Sequence, residues 1–350
     1  MFPTPIDLQT SGLTVFKREL MNTSNENLIE KVTINDVRAA AERISPYAHR
    51  TPVMTCRAIN QRVGTKVYFK CENYQKSGAF KFRGAINAIS QLSPEELERG
   101  VVTHSSGNHA GALASAAQIF GTKAFIVMPS NSSEIKKKAV KSYGGQITEC
   151  EPTLVARMAG AEKIRTETGA TLIPPFDHPH IIAGQGTSGL ELFQQVPQLD
   201  AIIAPIGGGG LMSGTCIAAR DAAKRLGCEI LVLGGEPEGA DDAFRSKNEG
   251  TFIPQNDPQT VSDGLRTSLG DLTWPFIRDE VDEIITVDDD ATVEAMRFFW
   301  ERTKVIIEVS CAVPLAALIK KFANVAEEKK PKHIGVILSG GNVDFSNLPF

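Results

Sequence analysis

No apolar run in this sequence reaches the roughly 18 residues that a bilayer-spanning helix needs, so no membrane span is expected. Paired cysteines are missing as well. The six present (Cys56, Cys71, Cys150, Cys216, Cys228, Cys311) are scattered, with no CxxC pair. That pattern argues against a disulfide framework or a zinc site and for reduced thiols in a cytoplasmic setting. Neither sign of charge dominates: 37 Lys plus Arg stand against 41 Asp plus Glu, a formal charge of -4. Nucleic acid and anionic membrane surfaces are therefore not expected partners. There is no internal repeat and no low-complexity tract. Residues 1–30 lack the basic start and apolar block of a secretory signal; polar and mixed in charge, they read as a poorly ordered arm.

What is present suits a sizeable core. Hydrophobic residues make up 42% of the 350, and the length suggests about two domains. From Val32 on, short β-branched runs alternate with longer amphipathic ones. Strands are expected at 66–70, 101–104, 124–128, 146–150, 201–204, 229–233, 283–287 and 333–338. Helical spacing marks 35–43, 108–120, 133–142, 154–166, 211–226 and 291–303. Apolar runs of four to six residues joined by helices indicate parallel sheets buried on both faces, hence an α/β fold. Residues 100–177 read as a small domain inserted into a larger one made of 31–99 and 178–350, with 171–176 as the return crossing.

Ligands in open α/β sheets sit beyond the carboxyl ends of strands, and three loops there carry chemistry. Gly207–Gly210 follow an apolar strand and precede an Ala-rich helix. Four glycines let backbone N–H groups converge on an anion at a helix N-terminus. No Lys follows at the spacing of an ATP-binding loop, so a small phosphate monoester fits better. Ser105, Ser106 and Asn108, in THSSGNH, place short polar groups around a helix start. They suit either a carboxylate, a ring hydroxyl or ordinary capping. A third strand ends in Ser339, Gly340 and Gly341. Lys81 lies between Phe80 and Phe82, an apolar setting that lowers an amine's pKa and makes it nucleophilic. A phosphate site, an imine-forming lysine and a partner for a ring nitrogen are what pyridoxal phosphate requires.

These segments resemble the fold-type II pyridoxal phosphate enzymes of the serine racemase and serine/threonine dehydratase group, with two open, twisted, mostly parallel sheets flanked by helices. The resemblance is carried by KSGAFKFRGA (76–85), THSSGNHA (103–110), IAGQGT (182–187), GGGGLMSG (207–214), EPEGADD (236–242), SDGLRTSLG (262–270) and LSGGNVD (338–344). It implies that Lys81 holds the cofactor through an imine and moves the Cα proton, with Phe80 beside the ring. Gly207, Gly208, Gly209, Gly210 and the Leu211 N–H would hold the phosphate. Asn108 would meet the ring hydroxyl, and Ser339 the pyridine nitrogen. Ser105, Ser106 and His109 would frame the carboxylate of an amino-acid substrate, and Arg157 falls where relatives carry a substrate-loop arginine.

Racemisation needs a proton donor on each face of Cα, and the resemblance implies Ser106 opposite Lys81. Glu236, the Ala240 carbonyl and Asp242 match a divalent-cation site suited to Mg²⁺ or Ca²⁺. Tyr143, Lys304 and Asn342 match contacts for ATP as an effector, and the group is usually homodimeric. The expected activity is interconversion of L- and D-serine with dehydration to pyruvate and ammonia. The alternative is an L-serine/L-threonine ammonia-lyase or 3-hydroxyaspartate dehydratase with little racemisation. EVSCAVP (308–314) departs from the relatives, which usually carry Pro after the Glu and Gly near position 312.

Overall fold

The computed structural model describes residues 31–350, so the expected N-terminal arm lies outside the described residues. Ten strands occur among them: β1 (Val53–Met54), β2 (Lys66–Cys71), β3 (Val101–His104), β4 (Ala124–Pro129), β5 (Gln146–Cys150), β6 (Thr171–Leu172), β7 (Ala201–Pro205), β8 (Leu231–Pro237), β9 (Glu283–Val287) and β10 (His333–Leu338). They form a six-stranded sheet in the order β1-β2-β10-β7-β8-β9 and a four-stranded sheet in the order β5-β4-β3-β6. Every pairing is parallel except the short β1–β2 edge. Every residue of β7 and all but the first of β10 are buried, as expected for central parallel strands covered by helices on both faces.

Strand order sets the site. β10 pairs on one side with β2, Leu338 opposite Cys71, and on the other with β7, Val336 opposite Ile203. The loops after β2, β10 and β7 therefore emerge side by side. They carry Lys81, Ser339 and Gly207–Gly210, which are far apart in sequence.

The structure departs from the sequence reading in places. The strand expected at 229–233 runs instead over Leu231–Pro237, because its register continues past Gly234 and Gly235 to pair Glu236 with Thr286. A side chain at Gly234 would strike Ile206 at 2.3 Å, so the glycine admits the layer above the sheet. Three helices are absent from the sequence reading: Lys81–Ile89, Pro179–Gln195 and Val309–Phe322. Most of their residues are buried, so they lie in the core and not at the surface. The Pro179–Gln195 helix meets the Gly210–Leu226 helix backbone to backbone. A Cβ at Gly214 would lie 2.4 Å from the Gly186 nitrogen, so IAGQGT is a packing motif that fixes the helix below the glycine loop.

Candidate active site

The Lys81 loop is stitched to the turn after β10. Ala79 bridges to Gly340, the Phe80 N–H donates to the Ser339 carbonyl at 3.0 Å, and Gly341 N–H donates to the Gly78 carbonyl at 2.9 Å. Ser77 adopts a left-handed φ of 59°, and its carbonyl accepts from Asn342 Nδ2 at 2.9 Å. Lys81 opens its helix with Nζ donating to the Pro175 carbonyl at 2.7 Å and lying 5.0 Å from the Phe80 ring centroid. The residue is half-buried but its amine is enclosed. Desolvation brings the amine down to about 8, opposed by the negative charge of Glu308.

The glycine loop is fully buried and in contact with the same crossing segment. Gly209, at φ 84°, is the N-cap of the Gly210–Leu226 helix. A Cβ at Gly208 would meet the Phe176 ring at 2.4 Å, and one at Gly210 would meet Phe176 at 3.0 Å. Among the described residues no acceptor stands opposite the N–H groups of Gly207, Gly208 or Gly209. Free amides at a helix N-terminus, in a place that tolerates no side chain, fit a phosphate. Asp177 holds the outer wall: its carboxylate accepts from the backbone N–H groups of Asp271 (3.0 Å), Leu272 (2.9 Å) and Thr273 (3.3 Å). Thr273 Oγ1 in turn donates to the Gly208 carbonyl at 2.8 Å.

The loop after β3 divides its polar groups. Ser105 Oγ accepts from the Gly107 N–H at 3.3 Å and shapes the turn. Ser106 is half-buried, and its hydroxyl has no hydrogen-bond partner among the described residues. Asn108 is held at both ends, Nδ2 donating to Glu308 Oε1 at 2.7 Å and Oδ1 accepting from Asn342 Nδ2 at 2.8 Å. His109 follows Asn108 in the first turn of the same helix, with its ring turned inward. It is 2% exposed, and Nε2 donates to the Ile173 carbonyl at 3.0 Å. Burial, and next the Lys81 charge, hold its ring neutral at about 3. Its Nδ1 is thus an acceptor, which cannot donate to a carboxylate. Arg157 sits in the first turn of the Leu154–Thr168 helix, its Nε buried without a partner. Nearby His104 is brought down to about 4 by burial and by Arg157, and its Nδ1 is likewise unpartnered.

Glu236 ends β8, Ala240 lies in the following turn, and Asp242 opens the Asp242–Glu249 helix. Glu236 accepts from the backbone N–H groups of Ala243 (2.9 Å) and Phe244 (2.8 Å), and Asp242 from that of Leu269 (3.0 Å). Burial, then the neighbouring Asp242, pushes the Glu236 carboxyl well above the usual carboxylate range; burial pushes Asp242 up to about 6. Two proton-hungry carboxylates with oxygen chemistry suit a hard cation, although no group of three or more His, Cys, Asp or Glu side chains clusters for a metal among the described residues.

The residues expected to contact a nucleotide lie on three separate elements. Tyr143 caps its helix near Gly111, and Lys304 Nζ donates to the Glu301 carbonyl. Asn342 is drawn into the Asn108 site. Sequence reasoning missed Pro175, Phe176 and Asp177 as parts of the site. The 308–314 segment, which the resemblance places near the cofactor ring, brings Glu308 to Asn108.

A desolvated lysine amine beside a glycine turn at a helix N-terminus, raised on two mostly parallel sheets, defines the chain as a fold-type II pyridoxal phosphate enzyme. Comparison with known proteins agrees. The pyridoxal-phosphate dependent enzyme family matches residues 44–340, and the chain belongs to it. It is 47% identical over 319 residues to a serine racemase of Dictyostelium discoideum, covering 91% of this chain and 97% of that one. It is 46% identical over 318 residues to a beta-hydroxyaspartate dehydratase of Paracoccus denitrificans, covering 91% and 98%. The solved structure of maize serine racemase superposes with a TM-score of 0.86 at 47% identity, covering 90% of this chain and 95% of that one.

Proposed function

We propose that this enzyme interconverts L- and D-serine and also dehydrates serine to pyruvate and ammonia. The observation that carries the reading is the Lys81 amine, held at 2.7 Å by the Pro175 carbonyl, next to the Phe176 ring that lines the glycine turn. Bound pyridoxal phosphate supplies the electron sink that makes a substrate Cα–H acidic. Gly207–Gly210 and the Leu211 N–H would hold its phosphate, Asn108 its ring hydroxyl, Ser339 its pyridine nitrogen and Phe80 its flank. With its amine near 8, Lys81 is matched to take or return a proton at Nζ close to neutral pH. Ser106 Oγ would serve the opposite face. Ser105, Ser106, His109 and Arg157 would receive the substrate. Because serine carries a hydroxyl on Cβ, loss of that group competes with return of the proton. The racemase and dehydratase relatives, at 47% and 46% identity, support both outcomes.

A second reading, dehydration of 3-hydroxyaspartate with little racemisation, is favoured by the unpartnered Arg157 Nε. A buried cationic donor at the substrate loop suits a second carboxylate. In either case Glu236, the Ala240 carbonyl and Asp242 would hold Mg²⁺ or Ca²⁺, and Tyr143, Lys304 and Asn342 would contact ATP. The enzyme would work as a cytoplasmic homodimer. Its inserted domain would comprise 100–177, with 31–99 and 178–350 forming the rest. No described helix is long and apolar enough to cross a membrane.

The test is chiral analysis of the products from L- and D-serine, with pyruvate release, in the parent and in Ser106→Ala. Racemisation is expected to fall by roughly 100-fold, the contribution of a positioned acid or base, while elimination from L-serine falls far less. Equal losses in every channel would make Ser106 a structural residue. A parent that forms no D-serine would leave the dehydratase reading.

A further inference from the structure

Beyond the turn that carries Ser339, the chain comes back over the Asp289–Thr303 helix. Asp344 makes the reversal: its carboxylate accepts from the Ser346 N–H at 2.9 Å, and its carbonyl accepts from the Asn347 N–H at 3.0 Å. Phe345 and Phe350 then meet Trp300 of that helix. The Phe350 ring stands edge-on to the indole at 5.5 Å and 86°, and the Phe345 ring is tilted at 6.3 Å and 49°. Arg297 lies 6.0 Å from the Phe350 ring centroid. Trp300 also reaches forward, its indole N–H donating to the Ile307 carbonyl at 3.0 Å. Ile307 belongs to the loop 304–308, which leads into the Val309–Phe322 helix. Lys304 opens that loop in the left-handed region at φ 61°, where a side chain is strained, and its N–H donates to the Trp300 carbonyl at 2.9 Å. Asn73 Nδ2 holds the neighbouring carbonyl, that of Ile306, at 3.1 Å. A Cβ at Gly341 would lie 3.0 Å from the same Ile306 carbonyl, so the loop and the Ser339 turn touch with no room for a side chain between them.

We infer that residues 343–350 are a strap: Phe345 and Phe350 fix the Trp300 ring, and Trp300 is a positioning residue whose N–H keeps the loop 304–308 against the Ser339 turn. That this turn meets a cofactor rests on the functional reading above; the strap itself does not. The circuit is closed, because the segment that leaves the turn clamps the loop that bears on it. Strain at Lys304 gives that loop a reason to move once it is released. None of residues 343–350 is buried, and Phe345 and Phe350 are 63% and 44% exposed. A segment attached by rim contacts opens at less cost than the core. When it lifts, the indole loses two ring neighbours and its hold on Ile307 loosens.

The holoenzyme tests this with Trp300 as its own reporter. The chain has two tryptophans, so Trp274→Phe leaves Trp300 as the only indole. In that background Phe350→Ala should shift the indole emission to the red and raise its quenching by acrylamide, and Phe350→Tyr should restore both. Trp300→Phe keeps a ring and removes the N–H. It should speed trypsin cleavage after the exposed Lys304, and the release of pyridoxal phosphate, each by roughly 2- to 10-fold, the scale of one hydrogen bond. Phe350→Ala should speed both by a smaller factor, and because Phe350 is exposed it carries the test where Trp300→Phe does not fold. An emission that ignores Phe350→Ala, or that follows protein concentration instead, would overturn the strap. Lower urea stability in Trp300→Phe, with cleavage and cofactor release unchanged, would make the indole ordinary packing and overturn its positioning role. A parent that binds no pyridoxal phosphate would overturn the functional reading instead, and emission and cleavage would still decide the strap.

Discussion

Behind the Lys81 helix, Arg83 and Lys70 face Glu72 and Glu191, two cations for two carboxylates. At the end of β8, Glu236 and Asp242 face each other, and their direct donors are backbone amides. Arg83 and Glu72 are both 0% exposed and meet through two bonds of 2.7 and 2.9 Å. Arg83 binds Glu191 twice more, each at 2.9 Å, and Lys70 reaches Glu191 at 2.6 Å and the Thr51 carbonyl at 2.8 Å. Burial would push Glu191 up, but Arg83 and Lys70 outweigh it and hold its carboxyl below the usual range. In the acidic loop nothing outweighs burial: Arg245 is bound to Asp241 at 2.7 Å, and both carboxyls rise. The first cluster satisfies itself and can serve as a fixed footing two residues from Lys81. In the second, burial favours the protonated, neutral carboxyls.

The comparison can be broken most severely at Arg83. Arg83→Met would leave the buried Glu72 and the partly buried Glu191 without their shared guanidinium, and removal of one partner of a buried pair costs about 3–5 kcal/mol. Urea unfolding should show a loss of that order. A loss under about 1 kcal/mol would mean that the network is not the footing described.

A smaller effect, opposite in sign to ordinary acid denaturation, is expected from the acidic loop. The folded pKa of Asp242 lies above its ordinary value, so the native state binds more protons between about 4 and about 6. Stability contributed by the protonated form is present below that window and lost as pH rises through it, by roughly 2–3 kcal/mol. Thermal melts without divalent cation should show this decline, and Mg²⁺ or Ca²⁺ should reverse it above the window. Asp242→Asn should flatten both responses. Glu191 works the other way, contributing stability above its unfolded pKa and losing it as pH falls through its depressed folded value.

The smallest effect sharpens the contrast. Arg225 pairs with Asp221 at 3.0 Å on a surface where its side chain is 48% exposed. Arg225→Ala should change stability by under about 0.5 kcal/mol in the same melts, because solvent screens such pairs. A larger loss would show that exposure is not what separates these clusters.

Much of the site could be read from the chain because its chemistry is local. Four consecutive glycines before a helix, a lysine flanked by two phenylalanines, and SSGNH after a strand each carry their meaning within a few residues. The Pro175–Asp177 segment gave no such signal, since its work is done by a backbone carbonyl, a ring against Gly208 and a carboxylate on distant amides. The His109 ring gave no such signal either: its Nε2 is committed to the Ile173 carbonyl, a partner 64 residues away.

The sequence by itself determined an α/β fold with parallel sheets, because buried apolar runs separated by amphipathic stretches have few other ways to hide. It also offered a glycine turn whose backbone suits an anion and a lysine in an apolar setting. Tertiary structure alone decided which groups meet. The order β2-β10-β7 brings Lys81, Ser339 and the glycine loop together, and helix packing places Glu308 against Asn108, 200 residues away in the chain. Whether a buried charge is paired or left wanting a partner is decided by what lies within a few ångströms in space, and the spacing of residues along a chain does not record that distance.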